Sequence, residues 1–354
     1  MILRSLRLQS FRCYLGLSTF SFAPDVTWVV GANAKGKTTI LEAVYMLSTG
    51  RGFREERERE LLTFQKTHGF VQGDFVDRYD GSATQAAISF QMIDDETLLK
   101  NYSVNRSPMG LLKFRRMQPP VVLFAPQQIE IVTGSPSHRR EYFNSLLSKA
   151  DMSYGKALRE YEAALRRRNA VLEEYTDMSQ LKTELWFWDK YLVERARTLH
   201  DARERYTHYL NAQPEFGGHF FAVIYHPSLM TQERLREKFP VEAAARRTLI
   251  GPQKDDFEFL LATANGEGGM NVHRYGSRSQ QRITVLWLKL REIAYLQESM
   301  KDDPILLLDD IFSEFDQAHR DVIISLIPRF QTIITSTQEP AGTALSSNTV
   351  VVKV

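Results

Sequence analysis

The segment Gly31-Ala32-Asn33-Ala34-Lys35-Gly36-Lys37-Thr38 narrows the possible folds more than any other part of this chain. It follows an apolar run, Val26-Thr-Trp-Val-Val30, that reads as a short buried strand. It precedes Thr39-Ile-Leu-Glu-Ala-Val-Tyr-Met-Leu, which reads as a helix. Strand, glycine loop and helix in that order call for an α/β layer. The two glycines let the backbone curl until several N–H groups converge at the helix N-terminus, where the field is positive. Such a loop holds phosphate. Lys37 would then reach the β- and γ-phosphates of a nucleoside triphosphate, and the Thr38 hydroxyl would sit on Mg2+.

The 354 residues suffice for about two domains. Hydrophobic content of 43% and charged content of 25% are those of an ordinary globular protein. One cysteine, Cys13, excludes an internal disulfide framework and suits a reducing compartment. No stretch approaches the roughly 18 apolar residues of a membrane span, and the N-terminus has no basic-then-apolar signal. A cytoplasmic protein with no membrane partner is expected. The net charge of +2 says little about partners. Basic residues do cluster, at His138-Arg139-Arg140, Arg166-Arg167-Arg168, Arg195 to Arg205 and Arg246-Arg247. Solvated helix faces balanced by Glu are one reading. A shared surface for nucleic-acid phosphates is the other, with Arg139, Arg140, Arg166, Arg167 and Arg168 as candidate DNA contacts.

Period-two and short apolar patterns predict strands at 2–8, 70–76, 85–92, 121–124, 219–225, 257–261, 305–308 and 332–335. From Ser137, a candidate N-cap, to about Leu210 the chain reads as helical with few breakers. Tyr154, Leu158, Tyr161, Leu165 and Leu172 keep a seven-residue beat, as do Leu181, Leu185, Trp188, Leu192, Ala196 and Leu199. The second stripe implies a rod of roughly 43 Å, whose simplest partner is the first, in an antiparallel pair or small bundle. Further helices are expected from Ser279 to about Met300 and over 317–326. The expected organisation is a discontinuous head, residues 1–130 and 245–354, interrupted by a helical lobe, residues 131–244.

Pro304-Ile-Leu-Leu-Leu-Asp309-Asp310 forms the second chemical motif, an apolar strand delivering carboxylates at its C-terminal end. Asp309 would hold the magnesium, directly or through water. Asp310 could orient or deprotonate the water that attacks the γ-phosphate. Lys37, Asp309 and Asp310 are thus the candidate catalytic residues. Beyond them, Ser313-Glu314-Phe315-Asp316 taken alone offers helix caps. Gly276-Ser277-Arg278-Ser279-Gln280-Gln281-Arg282 opens a long helix with Ser277 or Ser279 as its N-cap. The sharper reading has this N-terminus face the γ-phosphate of a nucleotide held by another subunit.

These segments, in this order, resemble the ATP-binding cassette heads of the SMC family, and within it the bacterial DNA-repair branch. Phe11-Arg12-Cys13-Tyr14 is similar to the family's Phe-Arg-Asn-Tyr segment beside the nucleotide. The phosphate loop matches its Gly-x-Asn-x-x-Gly-Lys-Thr form, Asn33 included and Thr39 following. Phe124-Ala-Pro126-Gln127-Gln128, then Gly134-Ser-Pro136-Ser-His-Arg139-Arg140, resembles Phe-x-Pro-Glu-Asp with Gly-x-Pro-x-x-Arg-Arg. Arg168-Asn169 fits an Arg-Asn pair of the helical lobe, and Gly251-Pro-Gln-Lys-Asp-Asp256 resembles Gly-Pro-His-Arg-Asp-Asp. Leu307-Leu-Asp-Asp310 and Ser313-Glu-Phe-Asp316 are close to Leu-Leu-Asp-Asp and Ser-Glu-Leu-Asp.

The resemblance implies an α/β fold, an ABC/SMC-type P-loop ATPase head with a mixed sheet and an inserted helical lobe. It implies binding of ATP with Mg2+, an ATP-dependent homodimer, and slow DNA-stimulated hydrolysis. Gapped DNA, single-strand–double-strand junctions and double-stranded DNA become expected partners, with the mediators RecO and RecR. Ser277, Ser279 and Gln280 become the signature loop acting in trans. Ser313 and Asp316 become a dimer-interface loop, Gln127 or Gln128 the lid sensing magnesium, and Thr337 the position where transporter cassettes carry a switch histidine. Three departures stand out. The signature lacks the glycine of Ser-Gln-Gly-Gln-Gln-Arg and carries Arg278 and Ser279, Ala34 stands where glycine is usual, and Gln253-Lys254 replaces His-Arg. The altered signature favours an alternative, a nucleotide-binding interaction protein with little or no hydrolysis. The missing switch histidine and the helical insertion speak against a transporter subunit.

Overall fold

The computed structural model describes residues 1–54, 57–94, 96–175, 177–262, 269–311, 317–338 and 349–354. Chain order begins with β1 (Ile2–Gln9), β2 (Ser18–Ser21), β3 (Val26–Val30), α1 (Lys37–Thr49), β4 (His68–Val76), β5 (Ala83–Met92), β6 (Leu98–Val104), β7 (Ser107–Met109), α2 (Leu111–Arg116) and β8 (Val121–Phe124). It continues with α3 (Glu130–Thr133), α4 (Pro136–Ala150), α5 (Met152–Glu174), α6 (Met178–Asn211), β9 (Glu215–Phe216), β10 (His219–His226), α7 (Gln232–Ala245), β11 (Asp256–Ala262), β12 (Gly269–Asn271) and α8 (Val272–Tyr275). Last come α9 (Arg278–Met300), β13 (Ile305–Asp309), α10 (Gln317–Leu326), β14 (Thr332–Ser336) and β15 (Thr349–Lys353). Contacts divide the chain into two compact units, residues 1–127 with 292–354, and residues 128–291.

The first unit holds two sheets. One is parallel, in the order β15-β3-β14-β13-β8. Every residue of β3, β8 and β13 is buried, as continuous apolar runs require when both faces of a parallel sheet are covered. The other is antiparallel, β2-β1-β4-β5-β6-β7. There β4 alternates, with Val71, Gly73 and Phe75 inward, the pattern of a sheet with one covered face. Ile40, Leu41, Val44 and Leu47 of α1 share one core with Leu3, Val71 and Val104 of the antiparallel sheet and Leu123, Leu307 and Ile333 of the parallel one. The helix that follows the phosphate loop is therefore gripped from both sides.

In the second unit α5 and α6 are antiparallel. Glu160 meets Arg195, and Arg168 meets Asp189, so numbers rise on one helix as they fall on the other. Tyr154, Tyr161, Leu172, Leu181, Leu185, Leu192, Ala196 and Leu199 are buried as the stripes predict, whereas Leu158, Leu165 and Trp188 are only half-buried. The helical run begins with Ser135, not Ser137, as its N-cap, because Pro136 suits the first helical position. Gly217 and Gly218, at φ 60° and 75°, make the tight turn between β9 and β10.

The expected head boundary at residue 245 is displaced, since 245–291 belong to the second unit. The reason is pairing: β10 is paired with β11 from Phe220 to His226. Arg203 of α6 also reaches Asp255 at 2.5 Å, and Arg139 of α4 reaches Asp256 at 2.6 Å.

Candidate nucleotide site

The turn between β3 and α1 is the phosphate loop the sequence announced. Gly36 adopts φ 93°, and a β-carbon there would come within 2.8 Å of Cys13 Sγ and 2.9 Å of Tyr14 Oη. Only glycine fits. Ala34 takes φ 64° in the same loop, a left-handed conformation that an L-side chain adopts at a cost of about 1–2 kcal/mol. Lys37 is folded along the loop, its Nζ donating to the carbonyls of Gly31 (2.8 Å) and Ala32 (2.9 Å). Asn33, Ala34 and Lys35 are exposed, and Thr39 is buried.

The two chemical motifs meet here. Thr38 Oγ1 donates to Asp309 Oδ1 at 2.9 Å, and Thr335 Oγ1 donates to the same oxygen at 2.8 Å. Burial pushes the Asp309 carboxyl above its ordinary range, against the hydrogen bonds from Thr335 and Thr38 and the charge of Arg54, while Asp310 adds to the rise. Asp310 is exposed at φ 48°, its backbone N–H on Thr335 Oγ1 at 3.0 Å. A cavity of about 420 Å³ is lined by Asn33, Ala34, Gly36, Lys37, Thr38, Thr39, Asp309, Asp310, Thr335 and Thr337, together with Cys13 and Arg54. That volume suits a small-molecule ligand. Magnesium takes oxygen ligands and keeps several waters, so the adjoining Thr38 hydroxyl and Asp309 carboxylate fit it. Among the described residues no group of three or more His, Cys, Asp or Glu could hold a metal by itself. The remaining ligands would come from phosphate and water.

An arginine pair completes the wall. Arg12, at φ 52° in the turn after β1, places its guanidinium two-pronged on Glu42, Nε at 2.9 Å and Nη2 at 2.7 Å. Arg54 Nη2 bonds the same carboxylate at 2.9 Å and Thr39 Oγ1 at 3.3 Å. Arg12, Cys13, Thr39, Arg54, Glu60 and Leu62 line an adjoining open cavity of about 560 Å³. Tyr14, whose phenol burial pushes up and so keeps neutral, donates to the Gly36 carbonyl at 3.4 Å. Sequence reasoning missed Glu42 and Arg54. The available signal was an acid inside an otherwise apolar helix, which needs a buried cation.

The other expected residues sit in local settings of their own. Gln127 is exposed and Gln128 half-buried, in one 3-10 turn. Ser277 is the N-cap of α9 in a reciprocal box: Gln280 N–H bonds Ser277 Oγ at 3.3 Å, and Ser277 N–H bonds Gln280 Oε1 at 2.8 Å. Arg278 and Ser279 are exposed beside it. Ser313 and Asp316 lie outside the described residues.

Two of the five DNA candidates are corrected. Arg168 is fully buried against Asp189 (2.7 Å) and Glu242 (2.8 Å), and Arg139 is buried against Asp256. Both guanidiniums are spent on internal carboxylates. Arg140 is half-buried and bonds the Asp255 carbonyl at 2.9 Å, while Arg166 and Arg167 are exposed. Gly251 to Asp256 are likewise an internal anchor. Burial would raise the Asp255 carboxyl, but hydrogen bonds from His200 and Tyr225 and the charge of Arg203 hold it below the ordinary range.

The sequence profile of the RecF/RecN/SMC N-terminal domain matches residues 2–354. The DNA replication and repair protein RecF of Moorella thermoacetica is 31% identical over 335 residues, 92% of this chain and 86% of that protein. RecF of Thermomicrobium roseum is 33% identical over 389 residues, covering 96% and 94%. The solved structure of the recombination mediator protein RecF with ATP, in the RecFOR pathway, superposes with a TM-score of 0.85 at 27% identity, covering 96% of this chain and 92% of its own. The Smc head domain of Pyrococcus furiosus bound to the C-terminal domain of ScpA shares the fold, at TM-score 0.50 and 17% identity over 95% and 89%. Matched by the family profile from residue 2 to its end, and more than 30% identical to repair proteins across most of their length, the chain belongs to the RecF/RecN/SMC family, in its RecF branch.

Proposed function

We propose that this protein is an ATP-gated DNA clamp of recombinational repair and replication. The observation that carries the reading is the 2.9 Å hydrogen bond between Thr38 and Asp309, 271 residues apart. It joins a phosphate-loop hydroxyl to a strand-end carboxylate, which supports a single ion site there. Lys37 and the N–H groups of the loop would hold the β- and γ-phosphates, Thr38 and Asp309 the magnesium, and Asp310 the attacking water. Bound magnesium supplies charge neutralisation at the γ-phosphate. Arg54 brings a further cation to the same cavity.

Ser277, Ser279 and Gln280 would serve the nucleotide of a second copy, whose γ-phosphate would meet the N-terminus of α9. ATP then favours the dimer by linkage, and slow hydrolysis releases it. DNA is gripped mainly through phosphates, with Arg166 and Arg167 as contacts and Arg140 in a lesser part. Gapped duplexes are the proposed substrate and RecO and RecR the proposed partners. The relative solved with ATP, described as a mediator of the RecFOR pathway, supports this.

The exposed Arg278 and Ser279 in place of the signature glycine favour a second reading, an ATP-binding interaction protein that scarcely hydrolyses. Mg-ATP calorimetry combined with ATPase rate against protein concentration tests both. Trans catalysis requires a rate per subunit that climbs with concentration. A flat, near-zero rate with intact binding selects the second reading, and absence of binding at millimolar Mg-ATP overturns both.

A further inference from the structure

Glu42 has no exposed surface, so it cannot meet a ligand, yet its two oxygens collect the polar groups along one wall of the nucleotide cavity. Oε1 accepts from Arg12 Nη2 at 2.7 Å and from the Arg54 backbone N–H at 3.3 Å. Oε2 accepts from Arg12 Nε and Arg54 Nη2, both at 2.9 Å. Arg12 has a second carboxylate, Glu60 at 3.8 Å, so Glu42 is the acid that the Arg54 side chain shares with it. Arg54 is the more open of the two, its side chain 32% exposed against 15% for Arg12. Arg54 also touches Thr39 and lines the cavity that holds Lys37, Thr38 and Asp309.

Arg54 follows the C-cap Gly50 of α1 on a loop with no sheet partner of its own. Its backbone and its guanidinium are both tied to a single acid on the helix behind it. Without that acid Arg12 would keep Glu60, and the more exposed Arg54 would turn to water. The planar fork of Arg54 suits phosphate oxygens only while its direction is fixed.

We propose that Glu42 is the positioning residue of the nucleotide site, holding the Arg54 guanidinium where the triphosphate oxygens of ATP arrive. This rests on the nucleotide-site reading above. The test is a double-mutant cycle on the full chain, with Mg-ATP affinity read by calorimetry and folding by far-UV circular dichroism. Arg54→Met, which leaves the Glu42–Arg12 pair intact, should weaken Mg-ATP roughly ten- to hundredfold. Glu42→Gln, which turns an amide donor toward a guanidinium, should weaken it roughly tenfold. In the Arg54→Met background Glu42→Gln should add no further loss, because the residue through which it acts is gone.

A Glu42 that merely supports the fold would lower affinity equally in both backgrounds, and that result overturns the proposal. Unchanged affinity in Glu42→Gln overturns it too. Should Glu42→Gln not fold, the cycle runs with Glu42→Asp, which keeps the charge but withdraws it by one methylene, with the same two criteria. If the unmodified protein itself fails to bind Mg-ATP, the nucleotide-site reading falls instead, so the two failures are distinct.

Discussion

At the scale of single residues, Asp309 sets function against stability. Burial is the largest influence on its carboxyl and raises its pKa, and the hydrogen bonds from Thr335 and Thr38 offset this only in part. An acid whose folded pKa lies above its unfolded value binds more protons when folded. Its contribution to stability is therefore fullest below about pH 3.9 and declines as pH rises through the raised folded value. Both threonine hydroxyls bond Oδ1, an atom that asparagine retains. Asp309→Asn should accordingly raise the thermal midpoint of the ligand-free protein at pH 7, with the gap closing toward pH 4. The same substitution should abolish the magnesium dependence of ATP binding. Melting curves across that pH range, with calorimetry at pH 7, check both halves.

At the scale of elements, the α5–α6 pair separates arginines that a sequence cannot tell apart. Arg166, Arg167 and Arg168 are consecutive, yet a helix turns about 100° per residue, so only the last faces inward, onto Asp189 and Glu242. Arg168→Met leaves both carboxylates unpaired and should destabilise the protein by about 3–5 kcal/mol in urea titrations. Its folded fraction should bind DNA as before. The same geometry explains what was legible in advance. Strands made of short apolar runs, such as 26–30 and 305–308, announce themselves by their length and flanks, and the heptad stripes of both long helices by their period. Short β2, β7 and β9 carry too few residues to set a period, and α7 encloses Pro240. The phosphate loop and Asp309 were readable because spacing along the chain fixes their chemistry. Glu42 with Arg54, and the inward turn of Arg168, depend on which side chains meet in space.

At the scale of the whole molecule, the net charge is only +2, so any grip on DNA must come from local clusters rather than the overall field. Each phosphate neutralised contributes about −0.9 to the slope of log affinity against log salt. Reversing the two exposed arginines, Arg166→Glu with Arg167→Glu, should flatten that slope by about 2 units. Fluorescence anisotropy on a gapped duplex between about 50 and 200 mM salt measures it. An unchanged slope would remove α5 from the DNA path.

The strand order β15-β3-β14 has a further consequence. Both neighbours of β3 are encoded roughly 300 residues downstream of it, which on a ribosome adding about 5–20 residues per second means a wait of roughly 15 to 60 s. Throughout that interval the apolar segment that carries the phosphate loop is outside the channel with no sheet to join. An exposed apolar segment is open to aggregation for all of that time. Codon changes that slow elongation between the two halves should lower soluble yield without altering the finished protein.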